Sequence, residues 1–351
     1  MAIKRIFPPE DKSAHARTSS LVRHGPNRAC VFFGVVMPVL TIRHVTTYRY
    51  WRPVAFGEHR MMLRPRDSSD QRLLDAKLEI TPEPKSLNCV QDAFGNHVGI
   101  ARFSGRRSKE LRFESRVRLE HSPSDVSCLK IEDRAKTFPF DYRADELPDL
   151  ACCIERHHPD PEDEVGRWAR QFLSSWGTTG TLELLTRLTQ GIHRQFRYRR
   201  REEKGIQEPV ETLRLRQGSC RDFAMLMIET ARAWGFAARF ASGYLASPLD
   251  DAREPADAAG HGATHAWAQI YLPAAGWIDF DPTTGSVGQK NLVVVAVVRE
   301  PSHAIPLHGT FIGFPSDPVG MEVTVSVHSG TPELVWAVPK RFGRSGGALR
   351  N

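Results

Sequence analysis

Apolar and polar residues alternate from Val39 to about Arg118 in the manner of β-strands. Leu40-Thr-Ile-Arg-His-Val-Thr-Thr-Tyr-Arg-Tyr50 has a period of two and is rich in β-branched and aromatic residues. Such residues fit a pleated, half-buried surface. Leu78-Glu-Ile-Thr81 stops at Pro82, Asp92-Ala-Phe-Gly-Asn-His97 reads as a turn between two strands, and Leu111–Leu119 alternates again. An all-β domain is predicted over residues 38–120. Residues 121–158 carry scattered Pro and Asp without a period and read as an irregular connector.

The period changes to that of a helix near Asp160. Asp160-Pro-Glu-Asp163 combines a capping acid, a first-turn proline and acids near the positive end of the helix dipole. Val165, Trp168, Ala169, Phe172 and Leu173 follow at helical spacing. A second helix is predicted over Leu182–Gln195. A third opens at Cys220, places Phe223, Leu226, Met227, Thr230, Ala231 and Trp234 along one face, and stops at Gly235. The period then returns to two. Strands are predicted at Ala238–Leu245, Thr264–Leu272, Trp277–Asp281, Leu292–Val298 and Met321–His328, with a long loop at 246–263 and a turn at Pro273–Gly276. The expected class is α+β. A β-rich domain at 38–120 and a connector at 121–158 precede a second domain at 159–290, in which a helix packs on an antiparallel sheet. Further strands occupy 291–335 and a tail 336–351.

Composition changes this picture little. The chain has 351 residues, 40% of them hydrophobic and 25% charged, ample for a buried core. Its formal charge of +7 is uneven. Residues 1–36 hold six cations against two acids, and the segment through residue 37 reads as a disordered extension or an over-extended start. The rest is only mildly basic, which argues against a nucleic-acid partner. Arg197, Arg199, Arg200 and Arg201, followed by Glu202 and Glu203, read as a solvated loop. No apolar run reaches the length of a membrane helix, and Ala29–Leu40 lacks the small-residue cleavage site of a signal peptide. Cys30, Cys89, Cys128, Cys152, Cys153 and Cys220 contain no C-x-x-C pair, and neighbouring Cys152 and Cys153 are poorly placed for a bridge. This usage fits a reducing, cytoplasmic compartment and leaves Cys220 free as a thiol. His261 and His265 lie four apart but lack a third ligand, so neither metal nor cofactor is expected.

The chemistry concentrates on three residues. Cys220 opens a helix after Gly218-Ser219, where free backbone N–H groups favour a thiolate and can receive an oxyanion. His265 begins a strand just after a long loop and offers the base that a catalytic thiol requires. Asp281 ends the next strand, where its carboxylate can fix the tautomer and orientation of the imidazole. Asp279, two residues earlier on the same face, competes with it, because the hairpin register cannot be read from the chain.

Arg216-Gln-Gly-Ser-Cys220-Arg-Asp-Phe, Ala238-Arg-Phe-Ala-Ser-Gly-Tyr-Leu245, His265-Ala-Trp267 and Trp277-Ile-Asp-Phe-Asp281-Pro-Thr resemble the transglutaminase-like superfamily. Ile42–Tyr50, Leu63-Arg-Pro-Arg66 and Asp92-Ala-Phe-Gly-Asn96 look like the N-terminal motifs of its bacterial transglutaminase-like family. The resemblance spans roughly 38–330. It implies a papain-like catalytic domain with Cys220 as nucleophile, His265 as general base and acid, and Asp281 as orienter. Tyr244 and Trp267 match motif positions near the site, with packing the favoured role for both, and Tyr198, in Phe196-Arg-Tyr198, is a candidate to border the oxyanion region. One departure is Val298-Arg-Glu-Pro-Ser-His303, where family members tend to carry a Gly-Arg-Asp-Tyr-like run. The implied chemistry is acyl transfer from an amide of a protein or peptide, such as a glutamine side chain, with hydrolysis favoured over transamidation. A non-catalytic scaffold that keeps the fold is the rival reading.

Overall fold

The computed structural model describes residues 38–122, 126–174, 178–201, 205–246, 264–288 and 291–330. The extension, the tail, Glu202, Glu203, His261 and nearly all of the long loop lie outside these.

The first sheet forms from β1 (Val39–Met61), β2 (Gln71–Thr81), β3 (Ser86–Gln91), β4 (His97–Arg102) and β5 (Ser108–His121), in the order β2-β5-β1-β4-β3. β1 pairs antiparallel with β5, Leu40 opposite Leu119 and Ile42 opposite Val117. All four are buried, while Thr41 and Arg43 are partly exposed, as the alternation predicts.

The connector is more ordered than its sequence suggests. It holds β6 (Thr137–Phe138) and α1 (Leu147–Ile154), which buries Leu150 and Cys153. The helix predicted from Asp160 is shorter and starts later, as α2 (Glu164–Ala169). Asp160 caps it from outside, its carboxylate accepting the N–H of Glu164 at 2.8 Å and of Val165 at 3.1 Å. A short 3₁₀ turn at Arg170–Phe172 replaces the rest. Next come β7 (Thr179–Gly180), which pairs with β6, α3 (Thr181–Gln195), β8 (Arg197–Tyr198), α4 (Pro209–Leu215), β9 (Gln217–Gly218) and α5 (Cys220–Ala233).

The second sheet contains β10 (Ala238–Leu245), β11 (Thr264–Leu272), β12 (Gly276–Asp281), β13 (Ser286–Val287) and β14 (Leu292–Val298), ordered β13-β12-β11-β10-β14. Phe223, Leu226 and Met227 of α5 share one core with Phe240, Ala266, Ala268 and Ile270 of this sheet. Burying each of the Phe, Leu, Met and Ile side chains contributes about 1.5–3 kcal/mol. At the other end of α5, buried Arg232 pairs with Glu229 at 2.9 Å and donates to the carbonyls of Cys153 and Ala238, tying α5 to α1 and β10.

The C-terminal strands do not form a block of their own. β14 joins the second sheet, whereas β15 (Leu307–Ile312) and β16 (Pro318–Gly330) return to pair with β1.

The outer edge of β14 is covered by side chains of the β-rich half. The Gln71 amide donates to the carbonyl of Val294 at 2.7 Å and accepts its N–H at 2.9 Å. The Asn96 amide treats Val297 in the same way, at 2.7 and 2.9 Å. Asp92 fixes Asn96 by accepting its backbone and side-chain N–H, and Arg66 donates to the Asn96 carbonyl oxygen. The Leu63–Arg66 and Asp92–Asn96 motifs therefore serve contact between the sheets.

Candidate active site

Cys220 is delivered by a short parallel pairing. Arg197 and Tyr198 of β8 lie beside Gln217 and Gly218 of β9, and the Arg199 N–H donates to the carbonyl of Gly218 at 2.8 Å. Gly218 must be small, since a Cβ there would meet the Asp222 Cβ at 2.9 Å and the Phe223 ring at 3.2 Å. Ser219 caps α5. The buried Asp222 carboxylate accepts both its backbone N–H and its hydroxyl at 2.8 Å. The other Asp222 oxygen accepts from Arg201 and from the backbone of Gln207. The turn that carries Cys220 is thus held on three sides, and its thiol stays partly exposed.

His265 lies one residue inside the start of β11, opposite Gly243 of β10. Its Nε2 is 2.8 Å from Asp281 Oδ2, and the Cys220 thiol acts on the same ring. With Nε2 engaged by Asp281, Nδ1 is left for the sulfur. Burial alone would lower the basicity of this imidazole, but Asp281 and then Cys220 outweigh it and raise His265 to about 10. Burial works against the Asp281 carboxylate too. The neighbouring imidazole, with hydrogen bonds from the Thr283 N–H and the Thr284 hydroxyl, holds it below the usual carboxylate range. The Thr283 carbonyl is in turn 2.7 Å from His193 Nδ1 on α3.

The competing carboxylate has other partners. Leu272 pairs with Gly276 across the turn, which sets Gln269 opposite Asp279. Asp279 accepts from the Trp267 indole N–H and from the Gln269 amide. Trp267 is fully buried and stacks on His265, centroids 6.1 Å apart and planes at 25°. It supports the imidazole from beneath and does not line an open cleft.

Tyr198 stands beside Cys220. Burial first, then the nearby thiol, pushes its hydroxyl up to about 12, and its ring packs edge-on against Phe223. Tyr244 lies elsewhere. It is 1% exposed, sits in a core with Leu40, Ile42 and Val117, and its hydroxyl is 3.0 Å from His44 Nδ1. Its place is the contact between the sheets. The departing segment at 298–303 packs against the α1–α2 connection, Arg299 meeting His157 Nδ1 at 2.6 Å.

Asp222, Thr283 and Thr284 carry the site without having been singled out. For Asp222 the signal was present, because Ser219-Cys-Arg-Asp222 has capping-box spacing before an apolar run. Thr283 closes the Trp277-Ile-Asp-Phe-Asp281-Pro-Thr283 motif, whereas no comparable signal marks Thr284.

Residues 40–120 match the bacterial transglutaminase-like N-terminal region, and residues 168–282 match the transglutaminase-like superfamily. An uncharacterised protein of Mycobacterium tuberculosis is 28% identical over 275 residues, covering 76% of this chain and 86% of its own. One from Mycobacterium leprae is 25% identical over 293 residues, covering 78% and 93%. A solved structure from Cytophaga hutchinsonii, named as a candidate cysteine protease, shares the fold with a TM-score of 0.62 at 20% identity, covering 85% of this chain and 92% of that one.

Proposed function

We propose, from the premise that this chain belongs to the transglutaminase-like superfamily, that it is a cysteine-dependent acyl-transfer enzyme acting on amide bonds of proteins or peptides. The observation that carries this reading is the buried His265–Asp281 hydrogen bond, with the Cys220 thiol acting on the same imidazole. His265 takes the thiol proton, and its raised basicity favours that position of the proton. The sulfur attacks the amide carbonyl carbon and forms a tetrahedral oxyanion. Backbone N–H groups at the start of α5, and the Tyr198 hydroxyl, which keeps its proton, are the donors for that oxygen. His265 then gives its proton to the leaving nitrogen as the C–N bond breaks, leaving a thioester on Cys220. Water deprotonated by His265 completes hydrolysis; a primary amine in its place completes transamidation. We favour hydrolysis, since none of the described residues near Cys220 forms a dry channel for an amine.

The rival is a scaffold that retains the fold without turnover. The buried, charged His265–Asp281 pair speaks against it, because ion pairs taken out of water are weak stabilisers and a scaffold gains little from one. Iodoacetamide labelling separates the two readings. The enzyme should label at Cys220 well above the rate of a free thiol, and His265→Ala should abolish that excess. Labelling at the free-thiol rate, indifferent to His265, would remove the catalytic reading. Mass spectrometry of a glutamine peptide with and without a primary amine then identifies the acceptor by cleavage, deamidation or an amine adduct.

A further inference from the structure

β11 carries His265 near its start and Tyr271 near its end, roughly 20 Å apart along the strand. Residues facing each other across neighbouring antiparallel strands share one side of a sheet. Arg239 of β10, Gln269 of β11 and Asp279 of β12 are such partners, and Tyr271 faces Trp277 beside them. α1 packs over this end of the second sheet, its Leu150 and Cys153 joining Tyr271 and Trp277. Between them is a cavity of about 350 Å³ lined by Leu150, Cys153, Arg239, Tyr271 and Trp277. Its size is at the lower end of the range for small-molecule sites.

Arg239 is held in a fixed pose at this cavity. Its Nε donates to the Gln269 amide oxygen at 2.9 Å, and the Gln269 amide donates to Asp279 at 2.9 Å. The guanidinium carbon lies 3.9 Å from the centre of the Trp277 ring. The two terminal nitrogens donate to no described residue, and the side chain has no ion pair among them. Burial first, then the cationic Arg66, lowers this guanidinium to about 10, and Cys153 and Asp279 oppose that only in part. It stays charged at neutral pH. Asp279 does not serve as its counter-ion, because that carboxylate already accepts from the Trp267 indole and the Gln269 amide. A partly buried fork of N–H donors without an acceptor suits a planar carboxylate. The acids on the α1 side of the cavity decide what that carboxylate belongs to. Glu146 is met by Arg134 at 2.7 Å and Asp145 by Arg143 at 3.2 Å, whereas Asp149 is exposed and has no ion-paired partner among the described residues. A bare polyanion would be repelled by Asp149; a zwitterion would use it.

We infer that this cavity binds a free α-amino acid with an apolar side chain, its carboxylate on the terminal nitrogens of Arg239, its ammonium toward Asp149 and its side chain against Leu150 and Tyr271. The site is separate from Cys220 and does not depend on turnover there. Gln269 and Trp277 fix the guanidinium before the ligand arrives, so little freedom is lost on binding.

Calorimetric titration of the full chain with L-leucine, L-leucinamide and isocaproate tests each part of the ligand. Leucine should bind saturably. Leucinamide, which lacks the carboxylate, should bind about tenfold more weakly or worse, and isocaproate, which lacks the ammonium, about threefold more weakly, since the exposed pair contributes less. Arg239→Gln should weaken leucine by about tenfold or more and Asp149→Asn by about threefold, with urea unfolding run beside each to show that the fold is kept. Should Arg239→Gln not fold, the three ligands on the unaltered protein decide the matter. No saturable binding of leucine, equal binding of leucinamide, or tighter binding of inorganic phosphate than of leucine overturns the inference. So does leucine affinity unchanged in a folded Arg239→Gln protein. None of these outcomes bears on iodoacetamide labelling of Cys220, so the acyl-transfer reading stands or falls separately.

Discussion

Asp279 and Asp281 are two positions apart and both buried, yet they hold different rings. Sequence brought each into view, and the turn at Pro273–Gly276 decides between them by fixing which residue faces Gln269. A shift of one residue in that register would exchange the two faces of β12. Asp281→Asn should therefore lower turnover by up to about 10⁴-fold, as when an orienting carboxylate is neutralised. It should also lower the His265 titration from about 10, since Cys220 alone would then oppose burial. The imidazole NMR signals followed against pH would show this. Asp279→Ala should instead cost about 1–3 kcal/mol of stability in urea unfolding, from the buried acceptor of the Trp267 indole and the Gln269 amide being lost, with a smaller fall in turnover.

The pair also sets a pH window for stability. His265 is raised on folding, so its contribution is complete below about 6.5 and fades as pH climbs through about 10. Asp281 is depressed, so its contribution is present above 3.8 and fades as pH falls below that value. The difference in unfolding free energy between the wild type and Asp281→Asn should thus be greatest near pH 5–6 and decline on both sides.

Among the elements, α5 and the strands of the second sheet were largely legible, because their apolar residues repeat cleanly over six to fourteen positions. α1 and α4 were not. They are eight and seven residues long, begin with Pro in the first turn and bury few apolar side chains, so neither shows a period. α2 was misplaced because Asp160 has the composition of a cap but acts across the loop, four residues before the helix begins. The start of α5 depends on Asp222, which joins Ser219, Gln207 and Arg201. Asp222→Ala should lower stability by about 3 kcal/mol, through the lost cap and the lost ion pair with Arg201, and should slow Cys220 alkylation as the turn loosens. Urea titration beside iodoacetamide kinetics would measure both.

For the whole molecule, the alternation in the β-rich half was evident, but its relation to the second sheet was not. Gln71 and Asn96 lie more than 190 residues from Val294 and Val297, and polar side chains aimed at an edge leave no periodic trace. Asn96→Ala would leave the buried N–H and carbonyl of Val297 without their partners. Unfolding in urea should show a loss of about 2–4 kcal/mol with an unchanged slope.

Two carboxamides here do the work of an absent neighbouring strand along β14. Cutting the chain near residue 158 would thus bare a ladder of unmet peptide groups, and such a rim recruits other copies of itself. The chemistry and its β-rich companion are in this sense one heritable unit: a graft of either half onto a foreign relative succeeds only if the matching amides travel with it.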